Sequence, residues 1–121
     1  MPRESFLKNR IKSVGFALRG AVVLIRTERS IKIQVVIALL VTAAGFYYEI
    51  STTEWILQTL AIALVLGIEG LNTAVEKIAD YIQPQYDQKI GFIKDVAAGA
   101  VMLVALGAAI IVFIIYVPKV F

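Results

Sequence analysis

Three stretches of the chain carry no charged residue: Ile33 to Tyr48, Trp55 to Ile68, and Val96 to Val117, of sixteen, fourteen and twenty-two residues. A helix rises about 1.5 Å per residue and needs roughly 17–25 mostly apolar residues to cross a bilayer. The third stretch is long enough alone, and the first two must borrow helical residues from their flanks. Tyr47, Tyr48 and Trp55 stand where interfacial aromatic anchors gather. The pattern predicts helices over 31–49, 54–82 and 91–118, each containing one span. Ahead of them, Leu7, Ile11, Val14, Leu18, Val22 and Ile25 recur at helical spacing, with Lys8, Lys12, Arg19 and Arg26 on a neighbouring face. That predicts a helix over 5–27 lying on the membrane surface. A solvated basic helix that contacts only lipid explains the same pattern. Gln83-Pro84-Gln85 breaks the second long helix before the third begins.

The expected fold is therefore all-α: one integral-membrane domain over 1–121, with an N-terminal amphipathic surface helix and three transmembrane helices. Neither internal repeats nor low-complexity tracts interrupt it. Composition agrees. The 121 residues are 60% hydrophobic and 17% charged, and the mean hydropathy is +0.83. A soluble domain this small keeps too much of its surface in water to hide so much apolar area. There is no Cys and no His, which excludes disulfides, thiolate metal sites and the commonest general base. Chemistry is left to carboxylates, Lys and Arg, amides and hydroxyls.

Charge then orients the chain. Residues 1–32 hold eight Lys/Arg against Glu4 and Glu28, and the remainder holds four against seven acids. A basic arm ahead of a hydrophobic run stays in the cytoplasm beside anionic headgroups. Nucleic acid is the rival partner for such an arm, and the apolar remainder argues against it. The arm lacks the apolar core and cleavage site of a signal peptide. The short loop Glu49 to Glu54 has no positive charge and is expected outside, with the N-terminus cytoplasmic and the C-terminus outside.

The second span runs on past its charge-free stretch. Glu69, Asn72, Thr73, Glu76 and Asp80 stand at i, i+3, i+4, i+7 and i+11, one polar ridge, while Leu71, Val75, Ile78 and Ile82 take another side. Fifteen residues separate Glu54 from Glu69, about 22 Å of helix against roughly 30 Å of hydrocarbon. If Trp55 marks the outer interface, Glu69 sits at or within the inner edge of the apolar layer, where an ionisable group usually faces the protein interior and has a function. It could take a proton from a lipid hydroxyl, and Glu76, two turns nearer the cytosol, could meet a soluble charged reagent. A snorkelling carboxylate is the plain alternative for Glu69, and an ion pair with Lys77, Lys89 or the arm is the one for Glu76. One or two carboxylates with substrate phosphates are a usual Mg²⁺ site. Lys94 and Asp95 open the last span. They read equally as a positive-inside anchor and a helix-dipole charge, or as nucleotide contacts. The small residues Ala97-Ala98-Gly99-Ala100, with Ala105, Gly107, Ala108 and Ala109, permit close helix approach and suggest an oligomer.

The run Glu69-Gly-Leu-Asn72-Thr73-Ala74-Val75-Glu76, followed by Asp80 and by Lys94-Asp95-Val-Ala-Ala-Gly-Ala-Val101, closely resembles the prokaryotic diacylglycerol kinase family, which includes undecaprenol kinases. The resemblance also covers the amphipathic arm, Glu28 just before the first span, and the three-span layout. It implies a homotrimeric kinase of the bacterial inner membrane that moves the γ-phosphate of MgATP to a lipid hydroxyl, with each site shared between subunits. No P-loop is present. On this likeness Glu69 is the general base and Asn72 positions the reacting groups. Glu28 and Glu76 hold Mg²⁺ and, with Lys94, Asp95 and the loop Gln85-Tyr86-Asp87, bind ATP; Glu69, Ala98 and Ser30 meet the lipid. Position 87 is Asp where relatives often carry His, and Asn9 beside Arg10 stands where some relatives place a nucleotide-binding Arg. The Arg26-Thr27-Glu28-Arg29 run and Glu54-Trp55 look closer to the undecaprenol-kinase branch. Two other classes fit the spans: a small transporter or channel using Glu69 as an ion or proton site, and a structural membrane adaptor.

Overall fold

The computed structural model describes residues 5–121, so Arg3 and Glu4 of the basic arm lie outside the described residues. Within them the chain is four helices: α1 (Phe6–Thr27), α2 (Arg29–Tyr47), α3 (Thr52–Ile82) and α4 (Gln88–Val120). No strand occurs among the described residues. The helices α2, α3 and α4 are each long and apolar enough to cross a membrane.

Each boundary has a local cause. Ser5 caps α1 by accepting the Lys8 N–H at 3.1 Å. Only Glu28 separates α1 from α2. Its backbone is extended, yet its N–H reaches the Leu24 carbonyl and its own carbonyl accepts from Lys32, so the chain bends without stranding backbone groups. At the other end of α2, the Ile50 N–H reaches the Gly45 carbonyl at 3.1 Å and the Glu49 N–H reaches that of Phe46 at 3.3 Å. This is a Schellman turn, and it puts Glu49 at φ 51°, a left-handed position held by a residue with a Cβ. Ser51 and Glu54 then close a reciprocal capping box that starts α3. Asp87 starts α4 by accepting from the N–H groups of Lys89 and Ile90 at 2.9 and 3.1 Å.

Three contacts fix how α3 lies on α4. Glu54 pairs with Lys119 at 2.7 Å, Gln58 meets Tyr116, and Asp80 pairs with Lys94. Each step along α3 is matched by a step back along α4, so the antiparallel register holds over about 39 Å of helix. It sets Glu69 level with Ala105 and Glu76 level with Ala98. Against α2, the bond from Gln58 to the Val41 carbonyl sets Gln34 level with Val65 and Ser30 level with Glu69.

The tightest packing is at the end where α2 stops and α3 starts. Ile50, Ile115 and Tyr116 are buried there against Val41, Ala44, Tyr48, Trp55, Ile111 and Val112. Gly45 belongs to this cluster for want of space: a Cβ there would fall 2.7 and 2.9 Å from two carbons of the Trp55 ring. Gln58, 1% exposed, is the most buried side chain in the bundle. The Tyr116 hydroxyl lies 2.6 Å from its Oε1, and its Nε2 donates to the Val41 carbonyl at 3.3 Å.

Candidate active site

α3 buries one face over most of its length: Gln58, Ala61, Val65, Glu69, Thr73 and Ala79. Spacings of three and four residues make Gln58 to Thr73 a continuous stripe, with Ala79 six residues further on, and the stripe contains Glu69, 7% exposed. The depth expected for Glu69 from residue counting thus coincides with burial against neighbouring helices. Thr73, also buried, donates its hydroxyl to the Glu69 backbone carbonyl at 3.2 Å. That bond leaves the Glu69 carboxylate itself free of Thr73. α1 closes on the same turn, since a Cβ on Gly70 would come within 3.1 Å of Leu24 Cδ1.

One turn further along, Asn72 donates from Nδ2 to Glu76 Oε1 at 3.1 Å. Its other amide atom, Oδ1, is buried without a hydrogen-bond partner. A buried acceptor in that state costs about 1–3 kcal/mol, and such an atom in a native site asks for a ligand, ion or water. The polar ridge expected along α3 is therefore split by environment. Glu69 and Thr73 are buried, Asn72 is half-buried, and Glu76 and Asp80 are exposed. Leu71, Ile78 and Ile82, on the other side, are exposed as well.

The remaining site residues fall into two groups. Glu28, at the α1–α2 joint, pairs with Lys77 at 3.5 Å. That pair ties the joint to α3 beside Glu76 and gives Lys77 to Glu28. Lys94 pairs with Asp80, a contact between α3 and α4 that the ridge pattern did not reveal. Together with Gln83, Gln85, Tyr86 and Asp87, Lys94 lines a hollow of about 180 Å³ at the α3–α4 turn. Gln85, Tyr86, Asp87 and Lys94 are thus brought together, while Glu28, Glu76 and Asp95 stand outside that hollow. The Asp87 carboxylate is engaged in capping α4, and the Tyr86 ring is 91% exposed. No set of three or more carboxylates able to hold a metal ion forms among the described residues. Ser30 and Ala98 lie level with Glu69 and Glu76 by helix register.

The family model of the prokaryotic diacylglycerol kinases matches residues 15–116, which includes every residue of these two groups. The chain belongs to the prokaryotic diacylglycerol kinase family. Among its relatives, the undecaprenol kinase of Bacillus subtilis is 37% identical over 89% of this chain and 88% of its own. The diacylglycerol kinase of Escherichia coli K12 is 28% identical, covering 83% and 82% of the two chains. The diacylglycerol kinase of Synechocystis is 31% identical over 85% of this chain and 59% of the relative. These likenesses bear out the family resemblance and the expectation of a lipid kinase, and with the three apolar helices they make the chain a membrane protein.

Proposed function

We propose that this member of the family transfers the γ-phosphate of MgATP to the hydroxyl of a membrane polyprenol of the undecaprenol type. The observation that carries it is the buried Glu69 carboxylate one turn from the orphaned Asn72 oxygen, on a helix long enough to bring both to a membrane surface. The alcohol's oxygen attacks the γ-phosphorus, the bond from that phosphorus to the bridging oxygen breaks, and ADP leaves. The hydroxyl proton goes to Glu69 acting as general base. Phosphoryl transfer asks mainly for position and charge neutralisation, which a chain without His or Cys can supply. Between the named acceptors, the choice of a polyprenol rests on the closer likeness to the Bacillus subtilis undecaprenol kinase than to the Escherichia coli diacylglycerol kinase.

The residues fit Mg²⁺. The Asn72 Oδ1 is a buried acceptor without a partner, the same side chain's amide nitrogen meets the Glu76 carboxylate, and Mg²⁺ takes one or two carboxylates plus substrate phosphates and does not need an all-protein cage. Glu76 and Glu28 would hold it, with the Asn72 oxygen as a third donor. Bound there, the ion would neutralise phosphate charge. The hollow at the α3–α4 turn supplies nucleotide contacts: Lys94 for a phosphate, Gln85 and Asp87 for polar groups, and the open Tyr86 ring for stacking; Asp95, next to Lys94 in the chain but outside the hollow, adds a further polar contact. Ser30 and Ala98, level with the reacting end, border the lipid.

α1, with its apolar stripe and basic face, lies along the cytoplasmic surface of the inner membrane. The N-terminus is cytoplasmic and the C-terminus outside. The chain works as a homotrimer with sites shared between subunits, which suits the exposed small residues of α4. The test is label transfer from γ-labelled ATP in mixed micelles, offered undecaprenol and diacylglycerol in parallel. Glu69→Gln should cut turnover by about 10²–10⁴ while the protein stays folded. Equal turnover in the variant removes Glu69 as base, and label entering diacylglycerol alone overturns the choice of alcohol.

A further inference from the structure

Glu28 is the single residue between α1 and α2, and its side chain is only 23% exposed. Its backbone is fully engaged, the N–H on Leu24 and the carbonyl on Lys32. The bend therefore fixes where the side chain starts, and the carboxylate meets Lys77 Nζ at 3.5 Å. Lys77 follows Glu76 directly on α3. The pair that occupies Glu28 thus also brings it to the turn of α3 that carries the other proposed metal carboxylate. With the lysine side chain 73% exposed, the pair is loose, and an exposed ion pair of that kind adds little to stability. A stronger partner for either group displaces it at little cost. Lys94 is held in the same manner, on Asp80, four residues beyond Glu76.

Charge gives the arrangement a purpose. Glu28, Glu76 and Asp80 would repel a triphosphate, and Lys77 and Lys94 are the cations set against them. Phosphoryl transfer depends on neutralising phosphate charge. A divalent ion on Glu28 repels an ammonium group 3.5 Å from the same carboxylate, so the lysine must leave. Its four-carbon stem is flexible and open to solvent. Glu28 and Glu76 are then both taken by the ion, and the anion newly within reach is the phosphate that the ion holds.

We infer that Lys77 is a phosphate-binding residue kept on Glu28 until the nucleotide arrives. In the empty protein it balances the Glu28 carboxylate, and when the metal takes that carboxylate it moves to a phosphate oxygen of MgATP. The inference rests on the kinase reading for the identity of the nucleotide, and it adds a second cation to Lys94. Two effects of opposite sign follow. Removing the lysine takes a competitor from the metal site and a contact from the phosphates, so the bare metal binds tighter and the nucleotide weaker. An ion pair that serves only the fold produces no such opposition.

The experiment uses the full chain in detergent micelles, with Mn²⁺ as the spectroscopic probe for Mg²⁺ and with Lys77→Met and Lys77→Arg. Without nucleotide, Mn²⁺ titrated by electron paramagnetic resonance should bind Lys77→Met about threefold more tightly than the parent. The β,γ-imido analogue of ATP, dialysed to equilibrium at saturating Mg²⁺, should bind that variant about tenfold more weakly. The KM for MgATP should rise alike, with kcat within about twofold. Lys77→Arg should keep analogue affinity within about threefold of the parent, and both variants should keep the parent's thermal midpoint because the side chain is exposed. Weaker Mn²⁺ binding to Lys77→Met would mean that the lysine holds Glu28 in place for the metal, and it overturns the inference. So does unchanged analogue affinity, or an equal loss in Lys77→Arg. The opposed shifts in a protein that phosphorylates no alcohol support the role of Lys77 and defeat the kinase reading. Phosphorylation without those shifts defeats the role of Lys77 alone.

Discussion

The two ends of the bundle handle their polar groups in opposite ways. Where α2 gives way to α3, every buried polar contact is closed within the chain. Gln58 is held by Tyr116 and Val41, Glu54 by Lys119 and by its capping box, and the turn carbonyls by Glu49 and Ile50. At the other end, Asn72 keeps a buried oxygen with no partner, Glu76 is exposed, and Lys94 holds its partner Asp80 at the rim of a hollow. The first end is built like a clasp, and the second leaves polar groups open, as the proposed site requires. A single helix, α3, serves both, and its buried stripe passes from Gln58 to Glu69 without a break.

Substitutions can set the two ends against each other. The largest contrast should come from Asn72→Leu. It deletes the orphaned oxygen and one exposed hydrogen bond to Glu76, so the thermal midpoint in micelles should hold or rise slightly. Kinase turnover should fall about 100-fold, near 2.7 kcal/mol in the barrier, with a higher Mg²⁺ requirement. A drop in thermal midpoint with unchanged turnover would mean that Asn72 serves the fold, and the contrast would vanish.

Gly45→Ala is the mirror experiment. The added carbon meets the Trp55 ring at 2.7 Å, and overpacking of this kind costs about 1–3 kcal/mol. Thermal unfolding should shift down by that amount while turnover at low temperature stays near the parent value. Tyr116→Phe is gentler: it takes the hydroxyl from Gln58 Oε1, and hydrogen bonds between helices in a membrane average about 0.6 kcal/mol, with a maximum near 1.7. A loss of activity larger than the loss of stability would show that the clasp reaches the site.

The legible part of this molecule was its one-dimensional part. Three apolar stretches and a helical period sufficed for an all-helical chain with three membrane-capable helices, because hydrophobicity in lipid acts on each segment separately. Glu69 stood out because counting residues from Trp55 gives depth directly. Pairings between helices were harder. Lys77 could as well have paired with Glu76 as with Glu28, and nothing in the spacing chose Asp80 for Lys94, since register between α3 and α4 depends on packing along their whole length. The clasp did leave a trace: Gln58 is a lone amide inside a charge-free stretch, and a polar side chain in lipid must find a partner. The orphaned Asn72 oxygen had no sequence signal, because which way an amide faces is decided by its neighbours in space.

The smallest effect tests the clasp's one strained point. Glu49 holds φ 51° in the Schellman turn, and a left-handed residue with a Cβ costs roughly 1–2 kcal/mol. Its carboxylate has no capping role, which Ser51 and Glu54 fill instead. Glycine takes that conformation freely but gives up about 0.5–1 kcal/mol of chain entropy on folding. Glu49→Gly should therefore stabilise the protein by a net of about 0.5 kcal/mol, read as a small rise in thermal midpoint with turnover unchanged. A fall in midpoint would mean that the Glu49 side chain holds this end together through its charge, and the clasp would then depend on more than the contacts between Gln58, Tyr116 and Gly45.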